Sequence, residues 1–240
     1  RKTESDPFET LYLDENVKNQ PAAALQLVAK EILHLSDQVK KVLHDTVTVV
    51  KENQMQGVDK IQEESAKVTK LTDKITDYLA GLFSSGLLTE QQASQTAGLM
   101  YVLGDVERIG NLSAGIALSM KEKETNQYKY SQEAMDELAK CLKTLEKMFD
   151  SATKALRGDT TVELEKLMKR KDKIVNLDIM MRKSHIQRVN KGKCKASLTT
   201  PFTNILHLID RMGNSCINLA DAATNEVALK YFLPKDEMTM

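Results

Sequence analysis

The sequence predicts an all-α protein built as two tandem antiparallel three-helix bundles, six long helices related by internal duplication. Three observations carry that expectation. Helix breakers are scarce, with ten Gly and four Pro in 240 residues, so long uninterrupted helices are open to the chain. Apolar side chains return at alternating steps of three and four over six separate segments, the period of an amphipathic helix. The last three segments repeat the first three at a nearly constant offset.

The first helix carries Leu25, Val28, Ile32, Leu35, Val39, Val42, Thr46 and Val49 on one stripe, and Pro21 suits its first turn, where a missing N–H costs nothing. The second runs through Val58, Ile61, Val68, Leu71, Ile75, Leu79 and Leu82 and stops near Ser84-Ser85, with Gly86 available for a left-handed cap. Thr89 followed by Gln92 is a capping-box signature opening the third, whose stripe of Leu99, Val102, Val106, Ile109 and Ile116 extends to about Met120. An aperiodic polar stretch, Lys121 to Lys129, separates the halves. The fourth helix has Met135, Leu138, Leu142, Leu145, Phe149 and Leu156 and ends at Gly158. The fifth follows a Thr160–Glu163 capping box through Leu164, Leu167, Ile174, Leu177 and Met181 to Val189. Lys191-Gly192-Lys193 breaks it, and Thr200-Pro201 opens the sixth through Ile205, Ile209, Met212, Cys216 and Leu219.

Glu31 and Glu137, Leu35 and Cys141, Val39 and Leu145, Leu43 and Phe149, Val68 and Ile174, and Leu71 and Leu177 all stand 106 residues apart. In the third helix of each half the offset is 103, matching Val102, Val106, Gly110 and Asn111 to Ile205, Ile209, Gly213 and Asn214. The domain reading is a polar linker over 1–20, one three-helix repeat over 21–126, a second over 127–233, and a tail over 234–240. The simplest packing has each helix burying one stripe inside its own bundle. A mid-helix glycine costs about 1 kcal/mol against alanine, so Gly110 and Gly213 predict close helix approach in both bundles.

Composition excludes several functions. Lys plus Arg and Asp plus Glu are 34 each, so no net field gathers nucleic acid, and none is expected as a partner. Cys141, Cys194 and Cys216 form no CxxC pair, and an odd count argues against a disulfide framework and for a reducing compartment. Cys141 and Cys216 fall on apolar positions, Cys194 in a basic linker. No run approaches the roughly 18 apolar residues of a membrane span. The chain opens on Arg1 rather than Met and is expected to be part of something longer. No Gly-rich phosphate loop, Ser-His-Asp set or paired-acid hydrolytic motif is visible, so a binding or regulatory role is expected and not an enzyme.

The most specific local signal is a duplicated segment, Gly104-Asp105-Val106-Glu107-Arg108-Ile109-Gly110-Asn111 and Leu208-Ile209-Asp210-Arg211-Met212-Gly213-Asn214. Glu107 and Asn111 share a helix face, as do Asp210 and Asn214, and Asn218 and Asp221 extend the second copy. One such stripe is what any solvated helix carries. Its recurrence singles it out. Asp105, Arg108, Arg211, Asn218 and Asp221 make a candidate partner-binding face. Arg108 and Arg211 have a plainer reading, as partners of neighbouring acids that hold helices together. A rival chemistry is the Glu-x-x-His of di-metal carboxylate oxidases at Glu31 and His34, but the repeat places Lys140 at the position of His34, so the second half-site is missing.

These segments resemble the PhoU family, which carries on the third helix of each repeat an acid, then Arg-Ile-Gly or similar, then Asp. Tyr12-Leu13-Asp14, Pro21-Ala22-Ala23-Ala24-Leu25, Lys30-Glu31-Ile32 and His185-Ile186-Gln187-Arg188-Val189 are similar to the PhoU-type domain that follows the membrane part of bacterial sodium/phosphate cotransporters. The resemblance implies a cytoplasmic regulatory domain of a cell-membrane protein, residues 1–20 leading from the membrane domain of the same polypeptide, with a homodimer as a further partner option. A stand-alone phosphate-signalling adaptor is the runner-up. The resemblance also implies metal ions on the acidic faces, at Glu107, Asn111, Asp210 and Asn214. Here the closing Asp is Asn in both copies, and helix-two acids expected near Thr69 and Val175 are missing. An amide oxygen is a weaker ligand for a hard cation than a carboxylate. The expectation is therefore no certain cofactor and at most a weakly bound divalent cation at Glu107 or Asp210.

Overall fold

The computed structural model describes residues 6–125, 129–158, 160–225 and 229–233. Six long helices run in chain order: α1 (Pro21–Glu52), α2 (Val58–Ser84), α3 (Glu90–Thr125), α4 (Gln132–Arg157), α5 (Thr160–Asn190) and α6 (Thr199–Thr224). Among the described residues there is no strand. The predicted boundary at 126/127 and the tail over 234–240 lie outside the described residues.

Local chemistry sets the ends. Pro21 occupies the first turn of α1, and Asn53 closes that helix in the left-handed region at φ 53°. Thr89 and Gln92 cap α3 reciprocally: the Gln92 amide donates to Thr89 Oγ1 at 3.1 Å and the Thr89 amide to Gln92 Oε1 at 3.0 Å. Helix α3 continues past Met120 to Thr125, since an aperiodic polar sequence with no Gly or Pro has nothing to stop a helix. Ser131 caps α4, accepting from Ala134 N–H at 3.2 Å, and Gly158 ends it at φ 136°. The Thr160 side chain of the predicted α5 capping box lies outside those described, and Glu163 is paired with Lys166 at 2.7 Å.

Within the first repeat Ser65 meets Asn111 and Gln62 meets Ala114, so α2 and α3 run antiparallel. Thr46 meets Ser113 and Val39 lies beside Gly110, which makes α1 and α3 parallel. The second repeat is built alike from α4, α5 and α6. The two bundles do not stand apart, however. Helix α1 packs on α4 and α3 on α6, and the buried side chains form one continuous core. The expectation of one buried stripe per helix therefore fails for α1, α3, α4 and α6, each of which buries a second face against the other repeat. Only α2 and α5 are outer helices.

The joint between repeats is pseudo-two-fold. Lys40 pairs with Asp150 at 3.0 Å and His44 Nδ1 meets Glu146 at 3.2 Å, and each pair maps onto the other under the offset of 106. An isologous contact behaves this way, residue i meeting j while the counterpart of i meets the counterpart of j.

Residues 6–20 are fastened to the first bundle. Phe8 is buried, the Leu11 amide donates to Glu31 Oε1 at 2.8 Å, and Tyr78 donates to the Asp14 carbonyl at 2.8 Å.

Candidate functional site

The duplicated motif falls on the middle of α3 and α6, and its residues part into three settings. Glu107 and Asn111 lie on the α2–α3 seam. The Asn111 oxygen accepts from Ser65 Oγ at 2.9 Å and from Thr69 Oγ1 at 3.4 Å, and its NH2 group reaches Glu107 Oε1 at 3.5 Å. Burial raises the Glu107 carboxyl above its ordinary range, hydrogen bonds from Thr69 and Asn111 pull it back, and the charge of Asp73 adds to the rise. An acid does therefore stand near Thr69 on the outer helix, one turn later than expected.

Asp210, Arg211 and Asn214 are exposed on α6. At the repeat positions of Thr69 and Asp73 the second half has Val175 and Ile179, so no polar cradle forms there. Arg211 makes no ion pair among the described residues.

Asp105, Arg108 and Asn218 come together across the α3–α6 joint. Arg108 pairs with Asp105 at 2.6 Å, Asn218 donates to the same Asp105 oxygen at 3.2 Å, and Arg108 reaches Ser215 Oγ at 3.4 Å. Asp105, buried, is the hub. This is the plainer of the two readings of Arg108: it holds helices together. Under the offset of 103, Asp105 maps onto Leu208, so Arg211 lacks the acid that Arg108 pairs with. Leu208 instead packs toward Gly115, the counterpart of Asn218, with 3.9 Å between its Cδ1 and the place of a Cβ on that glycine. One half of the joint is polar and the other apolar. Beside the polar half, Gly98, Tyr101, Asp105, Asn218, Asp221 and Asn225 line an open depression of about 310 Å³.

The residues do not fit a multinuclear metal cluster. The Asn111 oxygen is already taken by the Ser65 hydroxyl, with the Thr69 hydroxyl between it and Glu107, and its NH2 group faces the carboxylate that would have to share the ion. No group of three or more His, Cys, Asp or Glu side chains converges on one point among the described residues. The Glu-x-x-His pair is likewise engaged elsewhere, Glu31 with the Leu11 amide and His34 Nε2 with the Glu9 carbonyl at 3.2 Å.

Sequence reasoning missed a second polar cluster. Arg188, 3% exposed, pairs with Glu137 at 3.2 Å, and its guanidinium lies 6.0 Å from the Phe202 ring centre. His185 stacks on the same ring with centres 4.9 Å apart and meets Thr199 Oγ1 at 3.0 Å. Burial, then the Arg188 charge, push His185 below its ordinary range. The signal was present in the match of Glu31 to Glu137, since an acid turned inward in each repeat, buried at Glu31 and partly buried at Glu137, demands a partner. The partners differ: backbone amide in one, guanidinium in the other. Cys141 and Cys216 are buried, and burial raises the Cys141 thiol to about 12.

The arrangement defines a class first: two helical repeats fused through a shared core, with polar clusters that tie helices together. Comparison with known proteins then places it. The model of the PhoU domain matches residues 32–120 and 138–223, and the chain belongs to that family, which is regulatory in character. The crystal structure of PhoU from Pseudomonas aeruginosa shares the fold at a TM-score of 0.72 and 14% identity, over 88% of this chain and 97% of that one. No curated protein matches the chain.

Proposed function

We propose that this PhoU domain is the non-catalytic regulatory domain of a sodium-dependent phosphate transporter, cytoplasmic, with the membrane domain of the same polypeptide as its partner. The observation carrying this reading is the docking of residues 6–20. Their similarity to a transporter junction is joined here to a physical attachment: Glu31 and Tyr78 bind the backbone of Leu11 and Asp14. A segment held in this way passes displacement to α1 rather than absorbing it as a free tether would.

A regulatory domain shifts a transport equilibrium only if it binds one state better than another. Arg211, exposed and without an internal acid, is the arginine of the motif left free to make such a state-dependent contact. The first test is the gene itself. Apolar segments of about 18 or more residues upstream support the transporter reading. Their absence hands the function to the stand-alone phosphate-signalling adaptor, which the family match supports equally. The second test is Arg211→Glu in the full-length transporter. Phosphate uptake should lose part of its response to external phosphate while the domain's melting temperature stays put; unchanged uptake in a folded variant removes Arg211 from the regulatory face. No described helix is long and apolar enough to cross a membrane.

A further inference from the structure

Helix α5 carries a feature that its counterpart α2 lacks. Met168, Val175, Ile179 and Ile186 are 49%, 49%, 61% and 58% exposed. Spacings of seven, four and seven residues put all four on one narrow strip of the helix. At a rise of 1.5 Å per residue the strip is about 27 Å long. The repeat positions on α2 hold Gln62, Thr69, Asp73 and Ala80, so the first repeat presents no such strip.

The flanks are basic. Between residues 160 and 195, eleven Lys and Arg stand against four Asp and Glu, an excess of seven positive charges in a chain of zero formal charge. Lys166, Arg182 and Arg188 are paired internally, and Arg170 is bonded to the Lys147 carbonyl and Ser151. Among the described residues Lys169, Lys171, Lys173 and Lys183 make no ion pair. By helical phase Lys171 and Arg182 border the strip on one side and Lys183 on the other, where the exposed Glu165 and Asp172 also stand; the positive excess lies farther round, at Lys169 and Lys173, and just past the helix at Lys191, Lys193 and Lys195.

A second copy seated on this face would set two net-positive helices against each other, each with eight Lys and Arg and four Asp and Glu over Thr160–Asn190, which like-charge repulsion opposes. A nucleic acid would answer the charges and leave the aliphatic strip facing water. An anionic lipid surface answers both, headgroups meeting the lysines while the strip enters the boundary of the acyl region. We propose that α5 is a membrane-surface helix, lying along an anionic bilayer with Met168, Val175, Ile179 and Ile186 turned into it. This goes beyond the transport reading and does not depend on it, since the face is the same in a domain tethered to a membrane protein or in a free adaptor.

Sedimentation of the 240-residue chain with vesicles tests it. With about one-third phosphatidylglycerol in phosphatidylcholine at low salt, the chain should bind, and pure phosphatidylcholine or about 0.5 M salt should release it. Ile179→Glu with Ile186→Glu should weaken binding at least tenfold at an unchanged melting temperature, and Lys169→Glu with Lys183→Glu should do the same. Failure of the wild-type chain to bind the anionic vesicles overturns the proposal, as does full binding by the folded Ile179→Glu/Ile186→Glu variant. Light scattering that shows a wild-type dimer split by that variant gives the strip to a second copy and overturns it too.

Discussion

The two repeats share one apolar plan and differ in nearly every polar partner. In the first, α2 meets α3 through the Ser65–Asn111 and Gln62–Ala114 bonds, and Val39 and Val68 close on Gly110, at 3.3 and 3.5 Å from the place of a Cβ. In the second, α5 leans mainly on α4 and keeps an apolar strip in solvent. Among the described residues nothing lies within 4 Å of the corresponding point on Gly213, so of the close approach expected in both bundles they show the one in the first. A duplicated core keeps its apolar register because both copies must fill a packed interior. Surface seams are free to diverge, because a solvated polar pair is worth little. The divergence tells which contacts are architecture and which are open to a partner.

The matched acids give the sharpest contrast. Glu137→Gln leaves Arg188 buried beside a neutral amide and should cost about 3 kcal/mol in chemical denaturation. Glu31→Gln keeps an acceptor for the Leu11 amide while removing a buried charge, so it should be neutral or stabilising at pH 7. Equal losses at the two sites would erase the distinction between a guanidinium partner and a backbone partner.

The arginines come next. Arg108→Glu loses Asp105 and sets two acids one turn apart on α3 beside the α3–α6 joint, which should cost about 1–2 kcal/mol; Arg211→Glu, on an exposed site that pairs with no acid among the described residues, should cost less than about 0.5 kcal/mol. Thermal melts of both variants suffice, and a large loss at Arg211 would show a partner for it.

A smaller effect separates the glycines. Gly213→Ala should stabilise by about 0.5–1 kcal/mol through helix propensity, with no neighbour in the way. Gly110→Ala must push Val39 and should fall short of that gain, so a larger gain at Gly110 would contradict the close approach of α1 to α3 there.

The smallest effect is a pH slope. Burial, against the pull of the Leu11 amide, raises the Glu31 carboxyl above the ordinary value of 4.5. Just above that value the native chain holds a proton that the unfolded chain has lost, so this group's contribution falls as pH rises toward the native pKa and is flat beyond it. Glu107 acts in the same direction, while His185, lowered, acts in the opposite one below 6.5. The difference between wild-type and Glu31→Gln melting temperatures as pH falls from 7 to the ordinary value of 4.5 isolates Glu31, and wild type should gain on the variant between the native pKa and that value.

Much was legible from residues alone. Apolar period, caps at Pro21 and Thr89, and the offset of 106 predict six helices in two repeats, because these signals are local or act at fixed spacing. The candidate site was half legible. The motif reading found Asp105, Arg108 and Asn218 but offered them to a partner, whereas the structure joins them to one another across α3 and α6. Glu137 and Arg188 stood in the repeat match and in the His185–Val189 segment, but their meeting with each other and with Phe202 escaped notice because it joins three helices, a relation that no spacing along one helix encodes.

The sequence by itself determined the helices, their duplication and which faces are apolar, since hydrophobic burial depends on residue type and period. Tertiary structure alone decided the partner of each polar group. Asp105 finds Asn218 at a separation of 113 residues, and Lys40 finds Asp150 at 110, because the two repeats dock about a pseudo-two-fold axis. Burying a charge is costly unless a partner arrives with it, and where that partner stands is settled by packing.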